Sequence, residues 1–278
     1  MNQPQSGTPV PMIVTALIIG MAVLFGLKAA LSPKPADAPG PPSTPVESVT
    51  PEPAAGETPP DDPAEEARFI RARQQMVEND LRGRDITDPR VLEVMGRVAR
   101  QKFVPPSLEA KAYDDHPLPI GHGQTISQPY IVALMTQLAK TNPEAKALDI
   151  GTGSGYQAAV LAELCKEVYG IEIIEPLAED AKQRLRRLGY GNVTVRCGDG
   201  YRGWPEHAPF DVIVVAAAAG HVPQPLVDQL APNGRIVIPV GRSYQELLLI
   251  EKRADGSVRQ QRIAAVAFVP MTGEVQNR

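Results

Sequence analysis

Hydrophobic positions along the chain fall into three regimes. From Val10 to Leu27 the residues are predominantly apolar, with no charge among them. As a helix rising about 1.5 Å per residue, that run spans roughly 27 Å, close to the thickness of a bilayer core. Between Ser32 and Pro63 almost nothing is available to bury. Eleven of the 29 prolines lie there, mixed with acidic residues. Such a stretch cannot offset its ordering entropy and is expected to be extended or disordered, a spacer reaching up to about 100 Å.

Beyond Ala64 the apolar residues become periodic. Phe69, Ile70, Met76, Val77 and Leu81 recur at helical spacing and stop at Gly83. Asp88-Pro89 supplies an N-cap and a proline in the first turn. Val91, Val94, Met95 and Val98, with Leu92, then form one helical face. A loop from Pro117 to Ser127 leads into a helix ending near Ala139. From Lys146 onward, short apolar runs alternate with helical stretches. Ala147–Ile150, Val168–Ile171, Val193–Arg196, Phe210–Val215 and Arg235–Val240 read as strands. Ala158–Glu167, Pro176–Leu188 and Pro223–Leu230 read as the helices between them. This alternation predicts an α/β fold, a doubly wound parallel sheet with helices on both faces. Glu246–Glu251 and Val258–Val269, joined through Ala254-Asp255-Gly256, predict a C-terminal antiparallel hairpin. The chain therefore divides into an N-terminal anchor (1–31), a linker (32–63) and a folded domain (64–278).

Composition narrows this only slightly. A net charge of −4 gives no electrostatic footprint for nucleic acid, so none is expected as a partner. Cys165 and Cys197 are too few for a disulfide framework or a zinc site, so no metal is expected. They read as small buried hydrophobes in a reduced compartment. No basic residue precedes the apolar run, and the small-residue pattern Ala36-Asp37-Ala38 is followed by Pro39, a poor cleavage site. An uncleaved transmembrane helix is therefore preferred to a signal segment. Lys28 and Lys34 follow the run, which favours a cytoplasmic folded domain, with periplasmic exposure as the alternative.

Candidate chemistry concentrates at the strand ends. In a doubly wound sheet the ligand sits beyond the carboxyl ends of the strands, where strand order reverses. The first parallel strand ends at Asp149, and its turn carries Gly151, Gly153 and Gly155. Glycines there allow a tight turn and close approach of a ligand to the backbone. The spacing is G-x-G-x-G and not the G-x-G-x-x-G of a dinucleotide fingerprint. Asp149 suits a ligand with a cationic amino group, and would repel a pyrophosphate. Glu172 ends the next strand, where a carboxylate can accept both ribose hydroxyls. Asp199, followed by Gly200, ends the third, where an adenine amino group would lie. Together these point to S-adenosylmethionine and a Rossmann-like methyltransferase sheet.

The run from Leu118 to Ala133, with Gly121-His122-Gly123-Gln124-Thr125-Ile126-Ser127-Gln128-Pro129 at its centre, resembles the signature of protein-L-isoaspartate O-methyltransferases. Gln75-Met76-Val77-Glu78, Lys102-Phe103-Val104-Pro105, Ala208-Pro209-Phe210-Asp211, Ile238-Pro239-Val240-Gly241 and Phe268-Val269-Pro270 match in order. The likeness covers nearly all of 66–278 and none of the anchor or linker. It implies methylation of the free α-carboxyl of L-isoaspartyl residues in damaged proteins, whose ester collapses to a succinimide and reopens partly to aspartate. By the same resemblance Ser127 orients the substrate carboxylate, and Thr125 and Ile126 line the cofactor; Thr272, in a region that varies in the family, is a further candidate to close over it. From the residues alone, Ser127 could equally cap the helix that follows. The four histidines, His116, His122, His207 and His221, read as loop or capping residues. Ala217-Ala218-Ala219-Gly220-His221 departs from the more polar, proline-containing loop of the family. Two other readings compete: a methyltransferase for a small molecule or RNA, and a cofactor-binding module without turnover.

Overall fold

A computed structural model describes residues 62–277. The apolar run 10–27 and the proline-rich stretch up to residue 61 lie outside the described residues. Among those described, no helix is long and apolar enough to cross a membrane.

The domain opens on α1 (Pro63–Gln75), capped by Asp62, whose carboxylate accepts from Ala64 N. The helix continues as a π-helical turn, Met76–Arg82, and stops at Gly83 as its periodicity predicts. Ile70, counted in the apolar stripe, is exposed, so the stripe is narrower than it looks. Asp88 and Pro89 start α2 (Pro89–Met95) as expected, and Asp88 accepts from Arg90 N. The stretch read as a loop ahead of the next helix is instead a small antiparallel hairpin, β1 (Leu118–Gly121) with β2 (Gln124–Ile126). Its turn residues Gly121, His122 and Gly123 all have positive φ. Then comes α3 (Pro129–Ala139).

The main sheet contains β3 (Lys146–Ile150), β4 (Glu167–Glu172), β5 (Val193–Cys197), β6 (Phe210–Val215), β7 (Leu230–Val240), β8 (Gln245–Lys252) and β9 (Val258–Val266). Spatial order is β5-β4-β3-β6-β7-β8-β9. The first five are parallel and the last two form the antiparallel hairpin. Three helices lie between strands: α4 (Tyr156–Ala162), α5 (Glu175–Arg187) and α6 (Gln224–Asp228). Two of them are shorter than predicted. The residues 163–166 after α4 turn into β4, with Lys166 N donating to Ala145 O, and Leu230 already belongs to β7.

Strand alternation sorts the core into two layers. Ala147, Val212, Val214 and Val237 join one cluster with α2, α3 and α4. Leu148, Ile150, Ile213 and Ile236 join the other with Leu226, Trp204 and Met271. Both faces are thus covered, but unequally. The first carries α1 to α5, while the second has one five-residue helix supplemented by 3₁₀ turns and the C-terminal segment. Cys165 is buried as expected; Cys197, at the end of β5, is exposed. Strand β9 closes the far edge and is almost wholly exposed.

Candidate active site

Strand order reverses between β3 and β6, and a cleft of about 890 Å³ opens at the carboxyl ends of the strands flanking that point. Its walls come from the turns after β3, β4, β5 and β6, from the β2–α3 junction and from residues 269–272. Gly151, Gly153 and Gly155 have φ of 79°, 53° and 91°, a left-handed run that side chains disfavour. That run folds the backbone back so that Gly151 N and Thr152 N both donate to Ile171 O, at 2.9 and 3.2 Å. Gly200 lines the same cleft, and a Cβ there would sit 2.3 Å from Ile150 Cγ2. Only glycine lets β5's turn pack so close to β3.

The three strand-end acids prove unequal. Glu172 lines the cleft and is 5% exposed. Its Oε2 accepts from Gly153 N at 2.8 Å and its Oε1 from Ile174 N at 3.0 Å, so it ties the glycine loop to β4. A carboxylate oxygen has two lone pairs, so each can still accept a hydroxyl from a ligand. Asp199 Oδ1 accepts from Tyr201 N at 2.9 Å and its Oδ2 from Glu274 N at 2.7 Å. It thereby pins the C-terminal turn to β5, and Gly200 instead forms that part of the cleft wall. Asp149 has no exposure at all, does not line the cleft, and neither carboxylate oxygen finds a hydrogen-bond partner. Burial pushes its carboxyl up to about 7, with Glu172 adding to the rise. It is buried near the end of β3 and stands outside the lining of the cleft.

On the other side of the cleft, Thr125, Ile126 and Ser127 all contribute to the wall. Ser127 does not cap α3. The cap position is Gln128, with no side-chain bond, and Pro129 has no N–H to offer. The helix start is held by Asp115, whose Oδ1 accepts from Tyr130 N at 2.9 Å and Oδ2 from Gln128 Nε2 at 3.0 Å. Arg84 reaches the same Oδ2 at 3.1 Å and stacks over the Tyr130 ring, 3.3 Å from its centroid. Nothing in residue spacing marks Asp115 or Arg84, since both meet α3 only through the fold. The Ser127 hydroxyl, with no partner among the described residues, is left for a ligand.

Thr272 lines the cleft from the C-terminal segment, which is held by Ala218 N to Val269 O and Met271 N to Ala218 O, each 2.8 Å. Ala216 and Ala217 form the adjoining wall, so the alanine-rich loop offers main chain and methyl groups to the cleft. None of the four histidines lines the cleft. His207 stacks on Tyr169 at 4.1 Å, and His221 Nε2 is 3.2 Å from the Tyr201 hydroxyl.

Glycine turns at a topological switch point, a strand-end carboxylate with free lone pairs and a hydroxyl facing them define a Rossmann-like S-adenosylmethionine-dependent methyltransferase. The chain matches the family model "Protein-L-isoaspartate(D-aspartate) O-methyltransferase (PCMT)" over residues 71–276 and belongs to that family. Protein-L-isoaspartate O-methyltransferase 2 of Syntrophobacter fumaroxidans is 58% identical over 77% of this chain and 89% of its own. Another, from a Polaromonas species, is 60% identical over 69% of this chain and 92% of its own. Among solved structures, a Plasmodium falciparum chain described as an enzyme of this kind, in complex with S-adenosyl-L-homocysteine, superposes with a TM-score of 0.63. It is 29% identical and covers 72% of this chain and 98% of its own.

Proposed function

We propose that the chain repairs isoaspartyl damage from a membrane tether, with Ser127 orienting the acceptor carboxylate. The activity is that of its family: transfer of a methyl group from S-adenosylmethionine to the free carboxyl of an isoaspartyl residue. When bound, the cofactor supplies an electrophilic methyl on a sulfonium. The observation that carries the reading is the pairing of the Ser127 hydroxyl with the glycine loop and Glu172 in a single cleft.

The chemistry asks little of the protein beyond alignment. A carboxylate is already ionised at neutral pH, so it needs no general base. Its oxygen forms the new bond to the methyl carbon as the carbon–sulfur bond breaks, and the electron pair returns to sulfur. Ser127 donates to the non-attacking carboxylate oxygen and fixes the line of approach, which is catalysis by positioning. Asp115 and Arg84 hold the start of α3 so that Ser127 cannot drift. Glu172 would hold the cofactor's ribose hydroxyls, and the wall around Gly200 and Ile173 would take its adenine. The buried Ile126 and Met271 add apolar surface to the cleft wall.

The tether rests on the uncharged run 10–27 and the proline-rich spacer behind it. Fractionating cells that express the full chain with a compartment-sensitive C-terminal reporter tests it. The protein is expected in the membrane fraction with the reporter active on the cytoplasmic side, and recovery in the soluble fraction would overturn the tether. Methyl transfer to matched isoaspartyl and aspartyl peptides tests the acceptor assignment.

A further inference from the structure

Gln157 stands at the start of α4, two residues past Gly155, and lines the cleft beside Val132 and Met135 of α3. It is 8% exposed, a polar side chain set against apolar neighbours. Its Nε2 lies 3.0 Å from Thr136 Oγ1, and Thr136 Oγ1 in turn donates to Val132 O at 2.8 Å. A hydroxyl has one proton. Thr136 commits its proton to Val132, so toward Gln157 its oxygen only accepts. The amide must therefore present nitrogen to α3 and turn its carbonyl oxygen the other way. That Oε1 accepts nothing from the described residues and is not sealed from the cleft.

We infer that Gln157 Oε1 receives the α-ammonium of the cofactor's methionine end. This rests on the S-adenosylmethionine reading of the cleft. The turns line the sheet edge in the order β5, β4, β3, β6. Adenine beside Gly200 and ribose at Glu172 lay the methionine end over the turn after β3, where α4 begins. An ammonium leaving water there needs an acceptor. The strand-tip position suggests Asp149, but its carboxylate is wholly buried and outside the lining of the cleft. A neutral amide also suits the place better than an acid. The cofactor's methionine end carries a carboxylate beside its ammonium, and a fixed negative charge would repel it.

Titration calorimetry on the full chain tests this with two probes, S-adenosylhomocysteine and 5′-methylthioadenosine, which lacks the amino-acid end. Gln157→Leu is expected to weaken S-adenosylhomocysteine about tenfold, the loss of one hydrogen bond to a charged group. Binding of 5′-methylthioadenosine should stay unchanged. Thr136→Val, which frees the amide to turn, should give a smaller loss with the same selectivity, and carries the test alone if Gln157→Leu does not fold. Equal losses for both probes would overturn the inference. So would unchanged S-adenosylhomocysteine affinity with a raised KM for isoaspartyl peptide, which would assign Gln157 to the acceptor. If the wild-type chain binds neither probe, the cofactor reading itself fails.

Discussion

On the cofactor side of the cleft, Gly151, Gly153 and Gly155 turn the chain through left-handed φ, and Glu172 collects two main-chain N–H groups from the loops around it. On the acceptor side, Ser127 sits on a short hairpin-to-helix junction held from outside by Asp115, Arg84 and Tyr130. The first side is local: residues within a few positions of a strand end shape it. The second is assembled from segments tens of residues apart. The difference separates binding from turnover, because each side can be damaged while the other keeps its geometry.

Breaking the cofactor side should have the largest effect. Glu172→Ala removes the ribose acceptor and also orphans Gly153 N and Ile174 N, so S-adenosylhomocysteine affinity should fall about a hundredfold. Calorimetry checks this, and a loss of less than about threefold would mean the ribose lies elsewhere. Breaking the acceptor side should act on rate instead. Ser127→Ala is expected to lower kcat about tenfold while leaving S-adenosylhomocysteine affinity within about twofold. Steady-state kinetics with an isoaspartyl peptide, alongside the same calorimetry, separates the two. An equal loss of cofactor affinity would contradict the division.

The smallest effect leaves both binding and rate aside and acts only on stability. Asp149 is raised to about 7 against an ordinary carboxyl near 4, so the fold binds a proton that the unfolded chain releases. Stability should therefore fall as pH rises from about 4 to about 7 and level off above that, with this group contributing at most about 4 kcal/mol. In Asp149→Asn the decline should shrink, which denaturant unfolding at pH 5 and pH 8 would reveal. An identical pH dependence in both proteins would remove Asp149 from the account.

The same contrast explains what the sequence discloses. The five parallel strands, the C-terminal hairpin, the Asp88-Pro89 helix start and the glycine loop are local patterns, and each forms where its residues predict, except that β7 starts five residues early, at Leu230, and β9 ends three residues early, at Val266. The end of α4 falls short of its apolar run because Leu164 and Cys165 prolong that run after the chain has left the helix. Pro117–Ser127 read as a loop because a hairpin with three-residue and four-residue strands is too short to show alternation. Of the residues picked out from spacing, Glu172 and Gly200 line the cleft, as does the Thr125–Ser127 run that the family resemblance singled out. Asp149 and Asp199 stand at the expected strand ends, but which way a strand-tip carboxylate faces depends on packing that spacing does not encode. Gln157 and Asp115 were invisible for a related reason. A glutamine inside a helix and an aspartate in a loop are ordinary in sequence, and only the neighbours brought by α3 give them a role.

The central claim is an enzyme that recognises the isoaspartyl carboxylate itself. The most direct measurement is transfer of labelled methyl from S-adenosylmethionine to two peptides that differ only in an isoaspartyl or an aspartyl linkage at one position. The account predicts label in the isoaspartyl peptide, lost again as the ester collapses to succinimide, and none above background in its partner. Equal labelling of both peptides, or of neither while S-adenosylhomocysteine still binds, would contradict it.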